Sequence, residues 1–265
     1  MWQADVAPLA NSAVGLGCPD STESAPDNIL PPISAGEIAH ADIRHEPRDA
    51  VERAFVESLR RTLHEGGTVV VPAFGIGRTQ EILLICAAAG ITPYVDGMGK
   101  RVTDLFRRHA AFVRNEEALA RAAGNAREVT SHGQRERIAD RSTVIVTTSG
   151  MLQGGPAMTY VPAIRSHPVN KIAFTGYQVA GTPGRELIET GRAEIDGQVI
   201  PVSAQVEQYD FSAHADRDGL RDLLSTYRDT QVLVNHGDDC EGFAADLRGD
   251  EYEATAPERG ETVVL

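Results

Sequence analysis

The chain has 265 residues with 42% apolar side chains, 25 basic against 38 acidic groups, and three widely separated cysteines. This composition suits one large or two modest domains, and it excludes a membrane-spanning helix, a disulfide framework and a cysteine zinc site. Only two basic residues are lysines, and the acidic excess is typical of proteins adapted to high salt, so the net charge of −13 does not exclude a nucleic-acid partner.

The first 36 residues differ in composition from the rest of the chain. They are rich in Ala, Ser, Pro, Gly and Asp without sustained periodicity, which predicts an irregular segment. The first basic residue is Arg44, so the charged start of a secretory signal is missing and we expect a cytoplasmic protein. Apolar residues at helical spacing then predict a helix from about residue 48 to Leu63, ended by Gly66 and Gly67.

Short β-branched runs alternate with helical segments along the rest of the chain. This alternation predicts an α/β fold with a mostly parallel sheet. Predicted strands lie at residues 68–72, 91–95, 143–148, 171–175, 203–207 and 231–234. Predicted helices lie at residues 78–89, 102–121, 184–189, 216–227 and 241–247. Asp196 and Gly197, between two short strands, are typical of a two-residue hairpin turn.

A glycine-rich segment, PAFGIGRTQE, joins the first predicted strand to the following helix at residues 72–81. Glycines at such a turn let backbone N–H groups face an anion, and Arg78 could bind a phosphate. The segment is neither a Walker A loop nor a G-x-G-x-x-G fingerprint. Taken alone, it favours an ordinary strand-to-helix turn over a nucleotide site.

A second segment, TTSGMLQGGP, follows a predicted strand at residues 147–156. The Ser149 hydroxyl and the amides of Gly150, Gly154 and Gly155 could contact phosphate oxygens, because open α/β sheets bind ligands beyond the carboxyl ends of their strands. A turn whose glycines serve only the backbone is an equally good interpretation.

Two histidines stand out near the C-terminal end of the chain. His214 lies in FSAHAD, and His236 directly follows an apolar strand in VNHGDD. A histidine at a strand end is suited to metal binding or acid–base chemistry. A helix cap or an ordinary hydrogen-bonded side chain is the alternative for each of them.

Taken in order, these segments resemble the β-CASP branch of the metallo-β-lactamase superfamily. That branch includes the endonuclease subunit of the cleavage and polyadenylation specificity factor, its archaeal relatives and ribonuclease J. The resemblance spans roughly residues 45–265 and rests on GGTVVVPAFGIGRTQEIL, TTSGMLQGGPA, KIAFTGYQVAGTPGREL, FSAHAD and VNHGDD. It implies an α/β fold with an irregular segment at 1–46, a β-CASP domain at 47–207, and the C-terminal part of a metallo-β-lactamase αββα sandwich at 208–265.

The same resemblance implies an RNA-processing, zinc-dependent phosphodiesterase with two zinc ions in its site. It makes His236 a zinc ligand, and it makes His214 the group that protonates the leaving oxygen or holds the scissile phosphate. Glu37 is the implied carboxylate partner of His214. Contacts with RNA are expected at Arg78, Ser149, Gly150, Gly154 and Gly155.

The resemblance implies that the main zinc ligands come from an H-x-H-x-D-H loop. This loop has no counterpart in the sequence, because no H-x-H occurs anywhere in the chain. A single histidine cannot hold zinc tightly, since a catalytic zinc typically takes three protein ligands. We therefore expect a truncated protein that binds RNA and is inactive alone. We expect it to pair with a second copy or with a full-length homologue, and not to bind a membrane. A non-catalytic RNA-binding or assembly subunit and a non-functional remnant stay open as alternatives.

Overall fold

The computed structural model describes residues 44–195, 197–211, 215–235 and 239–263. These residues form two compact units, one of residues 46–211 and the other of residues 44–45 with 215–263. No helix within the described ranges is both long and apolar enough to cross a membrane. The domain boundaries implied by the resemblance stay predictions.

The larger unit is built on a six-stranded parallel sheet, as the alternating pattern predicts. The strands of the larger unit, in chain order, are β1 (Val69–Pro72), β2 (Tyr94–Asp96), β3 (Arg127–Glu128), β4 (Val144–Thr147), β5 (Lys171–Phe174), β6 (Arg192–Ile195), β7 (Gln198–Pro201) and β8 (Gln205–Gln208). The sheet order is β3-β2-β4-β1-β5-β8, whereas β6 and β7 form a separate antiparallel hairpin. The central strands β1, β4 and β5 are buried along their whole length, which explains their continuous apolar sequences.

Helices cover both faces of this sheet. They are α1 (Arg48–His64), α2 (Arg78–Ala88), α3 (Met98–Arg108), α4 (Glu116–Asn125), α5 (His132–Ala139), α6 (Ala157–Ile164) and α7 (Pro183–Thr190). Val69 and Val71 belong to one apolar cluster, which includes residues of α1 and α2. Val70 belongs to the other, which includes residues of α5, α6 and α7. This division follows from the alternation of side chains along a strand.

The predicted helix at residues 102–121 is wrong, because two helices occupy this region. α3 ends at Arg108, a 3-10 helix covers Ala110–Phe112, and α4 begins at Glu116. Asn115 starts α4 by accepting a hydrogen bond from the N–H of Ala118 at 2.9 Å, which is an ordinary N-cap that the prediction overlooked.

Other predicted elements differ mainly at their ends. The strand expected at 91–95 begins only at Tyr94, since Pro93 before it has no N–H to donate to a sheet. Strand β3 and helices α5 and α6 were not predicted from the sequence at all. The hairpin was predicted correctly, although Asp196 itself lies outside the described residues.

The smaller unit contains α8 (Arg217–Leu224), β9 (Gln231–Leu233), α9 (Cys240–Gly249) and β10 (Glu253–Thr255). Strands β9 and β10 run parallel and pack against both helices through one apolar cluster. Asp216 caps α8 by accepting the N–H of Gly219 at 2.9 Å, and it also accepts the N–H of His45 at 3.2 Å. These backbone hydrogen bonds hold the pKa of Asp216 below its ordinary value.

Candidate functional site

The carboxyl ends of four parallel strands bring four loops together at one edge of the larger unit. These loops follow β1, β2, β4 and β5, which are neighbours in the sheet. Ligands of open α/β sheets bind at this edge. Both glycine-rich segments singled out in the sequence are among the four loops.

Side chains near the strand ends link these loops to one another. Thr148 Oγ1 accepts the N–H of Met98 at 3.4 Å, and Thr175 Oγ1 donates to the carbonyl of Pro72 at 3.4 Å. Gln178, only 2% exposed, donates to the carbonyl of Gly150 at 3.2 Å. These hydrogen bonds join the loop after β4 to the start of α3, the loop after β5 to the end of β1, and the loops after β4 and β5 to each other. The edge is therefore a single structure rather than four separate turns.

The glycine at position 155 is required by the close approach of two backbone segments. Gly155 has a φ of +70°, and a Cβ atom there would lie 2.7 Å from the carbonyl oxygen of Thr148. Such a contact with backbone cannot be relieved by a rotamer change. This glycine therefore has a backbone role, as the simpler interpretation of TTSGMLQGGP proposes.

We predict that Gly155→Ala lowers the free energy of unfolding by about 2 kcal/mol, because it adds backbone strain and a steric clash. The matched control is Gly181→Ala, at a φ of +78° with open space around the Cβ position. This control carries only the conformational cost, about 1 kcal/mol. Urea unfolding monitored by circular dichroism would measure both. Equal losses in the two variants would contradict a role for the contact with Thr148.

Several groups expected to bind phosphate form hydrogen bonds within their own loop instead. Ser149 Oγ accepts the N–H of Gln153 at 2.8 Å, and the Ser149 N–H donates to the carbonyl of Gly154 at 3.2 Å. Gly150 is buried, and a Cβ there would lie 3.1 Å from the nitrogen of Phe74. Gly154 is half-buried and Gly155 is exposed. Of the four predicted RNA contacts in this loop, Gly155 is therefore the most exposed, whereas Ser149 and Gly154 are half-buried and Gly150 is buried.

Arg78 lies in an internal ion-pair cluster rather than on the surface. Its side chain is 12% exposed and pairs with Glu81, which also pairs with Arg48. The guanidinium carbons of Arg48 and Arg78 lie 4.5 and 5.7 Å from the centre of the Phe211 ring. Burial, together with the charge of Arg48, lowers the pKa of Arg78 to about 10, so it stays protonated at neutral pH. A phosphate contact at Arg78 would have to compete with Glu81.

Asp96 is a buried carboxylate at this edge that the sequence analysis missed. It is 1% exposed, accepts Arg135 Nε at 2.6 Å and Tyr160 Oη at 2.9 Å, and receives the N–H of Gly97 at 2.7 Å. Burial and the nearby Asp96 charge raise the pKa of Tyr160, which keeps its hydroxyl a donor. The signal in the sequence was an acidic residue between an apolar strand and a glycine, in YVDG.

The three residues proposed for chemistry, Glu37, His214 and His236, lie outside the described residues. Among the residues that are described, no three His, Cys, Asp or Glu side chains come together as a metal site would require. The described residues therefore do not by themselves fit a zinc centre, and no reaction step can be assigned to a metal from them.

Two family models match the chain one after the other. The first, described as a Beta-Casp domain, covers residues 80–187, and the second, described as a Zn-dependent metallo-hydrolase RNA specificity domain, covers residues 199–257. The chain belongs to the β-CASP branch of the metallo-β-lactamase superfamily. The resemblance and the fold class expected from the sequence are thereby confirmed.

Similar proteins of the β-CASP branch come from archaea and bacteria. The chain is 32% identical over 237 residues to "Probable RNase MJ4" of Methanocaldococcus jannaschii, covering 86% of this chain and 55% of that protein. It is 32% identical over 235 residues to RNase aCSPSF2 of Saccharolobus solfataricus, covering 86% and 47%. It is 31% identical over 234 residues to transcription termination factor FttA of Methanosarcina mazei, covering 78% and 37%. The chain thus spans about half the length, or less, of these curated relatives.

Proposed function

We propose that this β-CASP protein acts on RNA in a zinc-dependent processing nuclease and that the chain alone does not complete the zinc site. The observation that supports this function is the match, in order, of a Beta-Casp domain and a zinc-hydrolase RNA specificity domain along one chain. Relatives over most of the chain carry names of RNases and of a transcription termination factor. The absence of any H-x-H sequence supports the incomplete ligand set.

In this proposal His236 is a zinc ligand, and His214 protonates the leaving oxygen or holds the scissile phosphate, with Glu37 as its partner. The amides of Gly154 and Gly155, with the Ser149 hydroxyl beside them, face the RNA backbone. Backbone amides and hydroxyls position a phosphate without reading the base sequence. Arg78 then contributes mainly by holding the loop and by its positive charge, since Glu81 occupies its guanidinium.

The test is to measure zinc content and cleavage of labelled single-stranded RNA on one purified sample, with and without a full-length homologue. The chain alone should bind RNA, hold fewer than two zinc ions and leave the RNA intact. In the mixture, His236→Ala should remove zinc-dependent cleavage contributed by this chain, whereas His214→Ala should keep zinc and slow cleavage. Two zinc ions with cleavage by the chain alone would contradict the incomplete site.

The second candidate is a non-catalytic RNA-binding or assembly subunit that pairs with an active homologue. What favours it is that the described residues bring no metal-ligand cluster together. The same experiment separates the two functions. If the chain stimulates the homologue equally with and without the His236→Ala and His214→Ala changes, the assembly role is supported and the catalytic proposal is wrong.

A further inference from the structure

A basic segment interrupts an otherwise acidic chain at residues 98–114. It carries five Lys or Arg side chains against one carboxylate, whereas the whole chain has a net charge of −13. The segment comprises α3, the 3-10 helix at Ala110–Phe112 and the residues that follow. Local positive charge of this kind marks a surface that attracts a polyanion even when the protein as a whole is acidic.

Five exposed side chains form one stripe along this segment, with a spacing of three and four residues. They are Met98, Arg101, Leu105, Arg108 and Phe112. On α3 this spacing places Met98, Arg101, Leu105 and Arg108 on one side. Phe112 follows on the 3-10 helix beyond the end of α3. The opposite side of α3 is buried at Gly99 and Thr103. Met98 is 56% exposed, Leu105 52% and Phe112 84%, so the stripe combines arginines with large apolar groups that face solvent.

The two arginines of the stripe are available to a ligand. Arg101 and Arg108 are exposed and form no ion pair with any of the residues that the structure describes. Their neighbour Arg107, by contrast, lies within 3.5 Å of the Asp104 carboxylate. A phosphate approaching the stripe therefore meets two guanidinium groups that have no ion pair to break with the described part of the chain.

The stripe begins at the edge of the sheet where the four loops meet. Met98 starts α3 immediately after Asp96 and Gly97, and a Cβ on Gly75 would lie 3.1 Å from Met98 Cε. Phe74 and Ile76, on either side of Gly75, are 46% and 67% exposed. The exposed apolar side chains of the loop after β1 thus lie next to the residue at which the stripe begins.

We infer that this stripe binds single-stranded RNA and guides it toward the carboxyl edge of the sheet. The inference rests on the proposed function in taking RNA as the ligand, but it assigns binding to α3 rather than to the glycine-rich loops. Arg101 and Arg108 contact phosphates, and an unpaired base stacks on Phe112. An acidic protein surface would satisfy the arginines alone, whereas single-stranded RNA satisfies both the arginines and the exposed aromatic ring.

The test measures binding of a fluorescein-labelled 15-nucleotide oligouridylate to the full chain by anisotropy, over a series of KCl concentrations. The Arg101→Ala/Arg108→Ala variant should bind at least about tenfold more weakly at low salt. Its plot of log K against log [KCl] should be shallower by about 1.4, since each single-strand phosphate contact contributes about 0.7. Phe112→Ala should weaken binding about fivefold or more with an unchanged slope, because stacking releases no counterions.

The control variant is Arg137→Ala/Arg141→Ala, which removes two exposed arginines near the amino edge of the sheet and changes the net charge equally. It should bind like the unaltered protein. Equal weakening in both double variants would reduce the effect to bulk charge and overturn the inference. Unfolding midpoints of all variants should match, since every replaced side chain is exposed.

The failure of this inference is distinguishable from the failure of the proposed function. If the unaltered chain does not bind the oligouridylate, the function itself is wrong. If it binds and Arg101→Ala/Arg108→Ala binds equally well, only the stripe is wrong. A change in self-association of that variant by sedimentation velocity, with RNA affinity unchanged, would show a protein interface and also overturn the inference.

Discussion

Replacing Lys171 by Met is expected to lower the free energy of unfolding by about 3 kcal/mol. Lys171 is fully buried on β5, and its Nζ donates to a Glu207 oxygen at 2.7 Å and to the hydroxyl of Ser58. Methionine fills a similar volume but leaves the Glu207 carboxylate with only the half-exposed guanidinium of Arg61, 3.5 Å away, as a counter-charge. The expected loss is at the lower end of the range for broken buried pairs, because the Glu207 side chain keeps 29% exposure.

A double variant separates the broken ion pair from the loss of packing. Lys171→Met combined with Glu207→Leu removes both charges, so it should recover a large part of the stability lost by Lys171→Met alone. Urea unfolding of the two single variants and the double variant gives the coupling free energy directly. Strictly additive losses, or a loss below about 1 kcal/mol in Lys171→Met, would contradict the role assigned to the pair.

The pH dependence of stability provides an independent measurement on the same variants. Burial alone would raise the pKa of Glu207, but hydrogen bonds from Lys171, Ser58 and Tyr209 outweigh it and hold this pKa below the ordinary value of 4.5. The carboxylate therefore stabilises the fold above about pH 4.5, and this contribution is lost as the pH falls through the lower, folded-state value. Below pH 4.5 the unaltered protein should lose stability more steeply than the double variant.

The pair of Lys171 and Glu207 shows why part of the fold is not predictable from the sequence. The strand beginning at Lys171 was predicted, because an apolar run bounded by polar residues and glycine indicates a buried strand. The strand that became β8 was also predicted, at 203–207, but its pairing with β5 was not, since the β6–β7 hairpin separates the two strands along the chain. Only the pairing of Lys171 with Gln205 places Glu207 close to the lysine. A lysine at the start of an apolar strand was the one local signal.

The candidate site was predictable in its location but not in its internal contacts. Glycine-rich segments at strand ends indicated which loops would meet, because carboxyl ends of parallel strands lie at one edge of a sheet. The ion-pair partner of Arg78 is Glu81, which lies only three residues further along the chain. The ring that packs against the Arg78 guanidinium, however, belongs to Phe211, which is far away in the sequence. Local patterns cannot predict which distant ring packs over a side chain.

Asp96 is a second buried group whose partners could not be predicted from local sequence. It ends β2, and its carboxylate holds three donors at once, from Arg135, Tyr160 and Gly97. The donors come from α5, α6 and the turn that begins α3. The carboxylate thus connects two helices on one face of the sheet to the edge where the loops meet. Fully satisfied buried networks of this kind fix one arrangement, and removing the central acceptor leaves several donors unpaired.

Replacing Asp96 by Ala should therefore lower the free energy of unfolding by about 3 kcal/mol, because the buried hydroxyl of Tyr160 and the N–H of Gly97 lose their acceptor. The matched control, Tyr160→Phe, removes one donor and keeps the carboxylate bonded to Arg135, so its cost should be about 1 kcal/mol.

Hydrogen exchange provides the local measurement: Asp96→Ala should speed exchange of the Gly97 and Met98 amides, and Tyr160→Phe should leave it unchanged. If both variants lose the same stability, Asp96 contributes a single hydrogen bond and does not organise this edge. If only the Asp96 variant loosens these amides, the carboxylate holds the turn from which the exposed stripe on α3 begins.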